Sequence, residues 1–224
     1  MKEIIKNKIC FIICVNDEQY EIEALNYINR LYVPEGYIID AISVKDATSM
    51  TAGYNEAMQV SDAKYKVYLH QDVFLINRNL ITDILEIFSN KEIGMIGAVG
   101  TKILPWHGIM WYGSQIGELW SSEITNMELI RKGISNRWEE VEVIDGFLMV
   151  TQYDITWRED LFDGWDFYDA SQSMEMWRNG YKVVVPKQKT TWCIHDSGNV
   201  NLKNYYKYRE IFQREYLLNR DIKY

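Results

Sequence analysis

The segment VYLHQDVFL, residues 67–75, is an apolar run broken at its centre by His70, Gln71 and Asp72. Three polar side chains inside a core strand are costly to bury unless something pairs with them. A divalent metal ion and the diphosphate of a nucleotide would pair them. Asp72 and His195 carry suitable donor atoms. A carboxylate and an imidazole both bind Mn²⁺ or Mg²⁺ when phosphate oxygens and water complete the shell. The plainer readings are an Asp that caps a loop and a His hydrogen-bonded in the core. Of the three histidines, His70 and His195 end strand-like runs, whereas His107 follows Pro-Trp in a Gly-rich loop.

Asp169 opens the segment DASQSMEMWRNG. An Asp at a helix start satisfies free backbone N–H groups and favours the helix dipole. The same carboxylate at the mouth of a site can take the proton from an attacking hydroxyl. Asp163 and Asp166 stand in the same stretch, LFDGWDFYDA, so chemistry alone leaves the base open among the three.

The elements that must position these residues alternate. Residues 8–15 form a continuous apolar run, which suits a central strand of a parallel sheet. The spacing then predicts a helix over 18–31, a strand over 36–44, a helix from Thr51, a third strand over 64–75, a helix over 79–90 and a short strand over 93–100. Asn77 or Asn79 is the expected cap of that last helix. Alternation of this kind predicts a parallel sheet with helices on both faces. Ligands of such sheets bind at the carboxyl ends of the strands. Asn16, Asp46 and Asp72 each fall at or just after such an end, which makes a shared site. Beyond residue 100 the period weakens. Loops and short strands are expected over 101–120, a strand pair over 136–152, a helix over 167–180 with Gly180 near its end, a strand over 181–186 and a terminal helix over 201–220.

Composition narrows the partners. At 224 residues the chain buries a sizeable core. We read it as one domain, 1–224, with two halves, 1–100 and 101–200, and a C-terminal helix over 201–224. A net charge of −8 without a basic run argues against a nucleic-acid backbone as partner. An acidic chain still takes an anionic ligand if a metal ion supplies the positive charge. The 8 Trp and 16 Tyr suit stacking on sugars or bases, although aromatics are first of all core material. Three cysteines without CxxC spacing argue against a disulfide framework or a zinc site. The apolar part of the N-terminus, ICFIICV, is short for a signal peptide and no cleavage site follows it. No run approaches the length of a transmembrane segment, and the expected location is cytoplasmic.

An ordered set of segments resembles a family. KICFIICVND resembles the opening strand and turn of family-2-type nucleotide-sugar glycosyltransferases of the GT-A fold. AISVKDATSMTAGYNEAM resembles their second strand, base-contacting Asp loop and Gly-x-Asn-x-Ala helix. KVYLHQDVFL is similar to the strand with the Asp-x-Asp motif, IDGFLMV to the acceptor-side strand, and FYDASQSMEMWRNGYKVVVP to the segment with a Glu-Asp pair. CIHDSGN supplies a His where many such enzymes keep a further metal ligand. The resemblance covers roughly residues 8–200. There are two departures: His70 replaces the first Asp of Asp-x-Asp, and Tyr168 replaces the Glu before the catalytic Asp. HQDV with DGF and WDFYD resembles a subgroup near streptomycin-biosynthesis glycosyltransferase-like proteins.

The resemblance implies an α/β, Rossmann-like GT-A fold with a mostly parallel central sheet flanked by helices. It implies inverting transfer of a sugar from a UDP- or GDP-sugar to a carbohydrate or other hydroxyl acceptor, with a divalent metal ion as cofactor. Asp169 is then the base, and Asp72 and His195 hold the metal. Asn16, Asp46, Gly53, Asn55 and Gln71 fall on the nucleotide side, and Asp145, Gly146, Trp165 and Asp166 on the acceptor side. The loop PWHGIMWYGSQ with Trp165 suits an acceptor platform or ordinary packing. The terminal helix fits either a cover over the acceptor cleft or a subunit contact in a homo-oligomer. A non-catalytic carbohydrate- or nucleotide-binding protein on the same fold is the competing reading, favoured by His70. A nucleotidyltransferase is disfavoured, because CVNDEQYE lacks a Gly-rich loop with Lys or Arg.

Overall fold

A computed structural model describes residues 2–123, 126–198 and 202–218. Its frame is a seven-stranded sheet in the order β2-β1-β3-β11-β5-β12-β9. These strands are β1 (Ile5–Val15), β2 (Ile38–Lys45), β3 (Ala63–His70), β5 (Ile93–Gly97), β9 (Trp138–Glu140), β11 (Leu148–Thr151) and β12 (Lys182–Pro186). β1 pairs in parallel with both β2 and β3, and β12 in parallel with β5. β11 runs antiparallel between β3 and β5, so the sheet is mixed rather than mostly parallel. The periodicity of the chain marks β11 as a strand but carries nothing about its direction.

β1 reads as an unbroken apolar run because both of its faces are covered. Ile9, Phe11, Ile13 and Val15 point into one core cluster, with Ala24 and Ile28 of α1 (Glu18–Ile28) and Leu80, Ile84 and Phe88 of α3 (Leu80–Phe88). Cys10, Ile12 and Cys14 point the other way, against Met50, Tyr54 and Ala57 of α2 (Met50–Val60) and Tyr168 and Met176 of α4 (Tyr168–Arg178). Burial pushes the thiols of Cys10 and Cys14 up to about 12, so both act as small apolar packers. α1 starts at Asp17, whose carboxylate accepts the backbone N–H groups of Gln19 and Tyr20. At α3 the capping position is Asn79. Its side chain makes no cap bond, and its backbone N–H donates to Asn77.

A second sheet runs β10-β6-β7-β13-β4, with β8 paired to β7. Its members are β4 (Val73–Leu75), β6 (Val99–Thr101), β7 (Gln115–Glu123), β8 (Asn126–Lys132), β10 (Val143–Ile144) and β13 (Cys193–His195). The long strand expected over 64–75 is therefore two strands. The chain turns at Gln71 and Asp72 and passes from the first sheet into the second. It crosses again between β5 and β6 and between β10 and β11. β7 begins within 101–120, where loops and short strands were expected, and β8 lies where no element was assigned.

α5 (Tyr205–Phe212) and a following π-helical turn, Gln213–Leu217, close a third apolar cluster with Phe162, Phe167 and Met174. Asn201 and residues 219–220 of the expected terminal helix lie outside the described residues. No helix among the described residues is long and apolar enough to cross a membrane.

Candidate functional site

β1, β2 and β3 run in parallel, with Cys14 opposite both Val44 and His70, so their carboxyl ends form one rim. That rim and the turn into β4 bound a cleft of about 260 Å³. Asn16, Asp46, His70, Gln71, Asp72 and Trp165 line it. Asp46 holds a left-handed backbone, φ 58°. Asp tolerates that region better than most residues, and such conformations gather at ligand sites. Gln71 spends its amide on the β1–α1 turn: its oxygen accepts the backbone N–H groups of Asn16 and Asp17, each at 3.0 Å, and its nitrogen donates to the Asn16 side chain. It therefore shapes the cleft wall.

Gly53 and Asn55 lie away from this rim. A Cβ on Gly53 would press on the Cys14 sulfur, so the glycine lets α2 pack closely on β1. Asn55 is buried and donates to the Trp157 carbonyl and Glu159, while the Trp157 N–H donates back to it.

Backbone pairing brings His195 to Asp72. In the β4–β13 ladder His195 stands opposite Val73, and the Asp196 N–H donates to the Asp72 carbonyl at 2.9 Å. Asp72 Oδ1 then lies 3.6 Å from His195 Nε2 and 3.8 Å from His70 Nδ1. The three ligand atoms fall within 4.8 Å of one another, a group that could hold a metal ion. Asp72 Oδ1 is buried and has no hydrogen-bond partner. Two ligands of one ion at bonds of about 2.1 Å can be no more than about 4.2 Å apart, and both nitrogen-to-oxygen separations meet that bound. Burial lowers His70 to about 3, the neighbouring His195 adding to the effect, and lowers His195 to about 4. Both imidazoles are thus neutral near pH 7, as metal ligands must be. Burial raises the Asp72 carboxyl to about 6. The donor set therefore fits a divalent cation. Phe147 stacks on His195 with ring centres 4.9 Å apart, and Tyr168 hydrogen-bonds His70 Nε2. Neither was marked as a site residue by its sequence context.

A second pocket of about 190 Å³ adjoins the first. His70 and Trp165 line both. Asp145, Asp166 and Asp169 line the second, with Trp111 and Tyr205. Asp169 is held rigidly: Oδ2 accepts the Gly146 N–H at 3.0 Å and Oδ1 accepts its neighbour Ala170 N–H at 2.7 Å. Burial raises its carboxyl to about 7, and the charge of Asp145 adds to that shift. Asp145 is itself raised to about 6 by burial, and Asp166 is raised for the same reason. Asp163 pairs with Tyr208 and Lys207 on the exposed side and does not line the pocket. Phe167, just before α4, is the other non-glycine residue with a left-handed backbone among those described. The two strained positions thus line the two pockets.

The sequence profile of the Glycosyltransferase like family matches residues 10–216. Among curated proteins no sequence matches the chain. Several solved structures share the fold. S. aureus TarS aligns with a TM-score of 0.60 at 12% identity, over 98% of this chain and 41% of that one. Mannosyltransferase PcManGT from Pyrobaculum calidifontis, in complex with GDP-Man and Mn²⁺, aligns with a TM-score of 0.53 at 10% identity, over 93% of this chain and 60% of that one. A Drosophila β1,4-galactosyltransferase 7 mutant, in complex with manganese, UDP-Gal and xylobiose, aligns with a TM-score of 0.54 at 11% identity, over 97% of this chain and 77% of that one. The chain thus spans less than half of TarS and about three fifths of PcManGT. All three share with it the GT-A arrangement.

Proposed function

The chain belongs to the glycosyltransferase-like family, and from that premise we propose that it transfers a glycosyl group from a nucleotide-diphosphate sugar to an acceptor hydroxyl, with inversion. One observation carries this reading. Two pockets meet at His70 and Trp165, one rimmed by polar ends of parallel strands and the other holding a fixed carboxylate, Asp169. That arrangement offers a donor and an acceptor a common boundary.

The geometry supports the following roles in this reading. Asn16 and Asp46 bound the place where a nucleoside sits. Asp72 and His195 would hold a divalent ion, Mn²⁺ or Mg²⁺, and that ion would supply positive charge to offset the diphosphate. Asp169 accepts the proton of the acceptor hydroxyl as that oxygen attacks the anomeric carbon. Its carboxylate is fixed by two backbone donors, so it need not be reoriented for the step. The donor is a UDP- or GDP-sugar.

Calorimetric titration with UDP and with GDP, with and without Mn²⁺, tests the reading on the unaltered chain and on Asp72→Ala. The expected result is metal-dependent binding of one nucleotide, lost in the variant. Absence of nucleotide binding under every metal condition would sink the proposal and favour a non-catalytic relative.

A further inference from the structure

The two departures from the family's motifs touch each other. His70 stands where the motif has Asp, Tyr168 stands where it has Glu, and the Tyr168 hydroxyl is hydrogen-bonded to His70 Nε2. Gly146 makes the pairing fit, because a Cβ there would overlap the Tyr168 hydroxyl. We propose that Tyr168 positions His70 as a third protein ligand, giving a two-imidazole, one-carboxylate site that prefers a first-row transition ion to Mg²⁺. This rests on the metal-assisted reading above and deepens it.

The argument is one of orientation and donor type. With Nε2 engaged by Tyr168, the remaining nitrogen, Nδ1, faces Asp72 Oδ1 at 3.8 Å. The tautomer that serves a cation carries its proton on Nε2, donates it to the Tyr168 oxygen and presents the Nδ1 lone pair. Tyr168 is buried. Its ring is packed against Tyr54 and Trp157, so the hydroxyl is a fixed point. Imidazole nitrogen suits transition ions, whereas carboxylate, carbonyl and water suit Mg²⁺. Exchanging a carboxylate for an imidazole at position 70 therefore moves the preference away from Mg²⁺. It also removes one negative charge from the cleft.

Spin-echo EPR on the unaltered chain loaded with Mn²⁺ counts the coupled ¹⁴N ligands directly. Calorimetry with MnCl₂, CoCl₂ and MgCl₂ gives the preference. Two coupled imidazoles are expected, with Mn²⁺ bound at least about tenfold more tightly than Mg²⁺. Tyr168→Phe keeps the ring and removes the acceptor, and Mn²⁺ affinity should fall about 10–100-fold with an altered ¹⁴N signal. His70→Asp should narrow the Mn²⁺-to-Mg²⁺ ratio. A single coupled imidazole, equal affinity for Mg²⁺, or an unchanged Tyr168→Phe would overturn the inference. If Asp72→Asn still abolished binding in those cases, the donor-site reading would stand without it. No binding of any of the three ions, alone or with UDP or GDP, would remove both.

Discussion

As the proposed base, Asp169 would act only as a carboxylate, and its surroundings hold it protonated longer than usual. Burial, then the charge of Asp145, places its pKa at about 7. Turnover should therefore rise with pH through about 7 and level off above it. Asp169→Asn should lower kcat about 10²–10⁴-fold while leaving nucleotide affinity by calorimetry unchanged. Asp145→Asn removes the neighbouring charge, so the midpoint of the pH profile should move down. The same variant reads out stability. Asp145 titrates at about 6 in the folded chain against 3.8 for the ordinary group, so the folded state holds a proton that the unfolded state releases. Stability falls as pH rises from about 4 to about 6, and the deficit persists at higher pH. Asp145→Asn should raise Tm near pH 8 and leave it almost unchanged near pH 3.5; an equal shift at both would mean that packing, not charge, sets the effect. The order of motifs singled out Asp72, Asp145, Asp166 and Asp169, and these residues line two adjoining pockets. Gly53 and Asn55, singled out in the same way, allow close helix packing and form a buried strap to Trp157.

Elements that bury both faces announce themselves by period, and those that bury little do not. β1, α1, β2, α2, β3 and α3 were all legible, because each has a continuous or periodic apolar face against one of the two core clusters. The β7–β8 hairpin was not. All residues of β8 are exposed or half-buried, so the strand lacks a clean alternation. The turn at Gln71 and Asp72 was hidden too, since apolar residues continue on both sides into different sheets. α5 was legible as a helix, whereas its sequence fitted two places, a cover over a cleft or a subunit contact. Tyr205 lines the second pocket, Phe212 packs on Phe167, and Arg178 and Arg158 pair with Glu215 in the turn that follows. Phe212 is fully buried, so Phe212→Ala should cost about 3–5 kcal/mol of stability. Because α5 walls only the second pocket, a folded fraction of this variant should show a raised acceptor KM with nucleotide affinity unchanged. Equal losses at both pockets would place α5 in the general core instead.

Across the molecule, the two sheets divide the chemistry and their crossings carry it. His70 to Asp72 and Asp145 to Phe147 are segments where the chain leaves one sheet for the other. At these bends His70, Asp72 and Asp145 come to line the two pockets. The resulting electrostatics differ between pockets. The first pocket has a group suited to a cation, which can offset a diphosphate within a chain of net charge −8. The second, the proposed acceptor side, holds Asp145, Asp166 and Asp169, and none of the described residues that line it is Lys or Arg. An acceptor bearing phosphate or carboxylate at this pocket would meet three carboxyls with no counter-charge. An uncharged saccharide can donate hydroxyl hydrogen bonds to those carboxyls and lay its apolar face on Trp165 or Trp111, both partly exposed. Neutral acceptors should thus be used at least about tenfold more efficiently than anionic counterparts of the same size, with the gap widening as salt falls. Initial rates with a matched neutral and carboxylated pair at two ionic strengths measure this. Asp166→Asn, which leaves the proposed base in place, should narrow the gap; a preference for the anionic acceptor would show that a cation from outside the lining residues reaches the pocket.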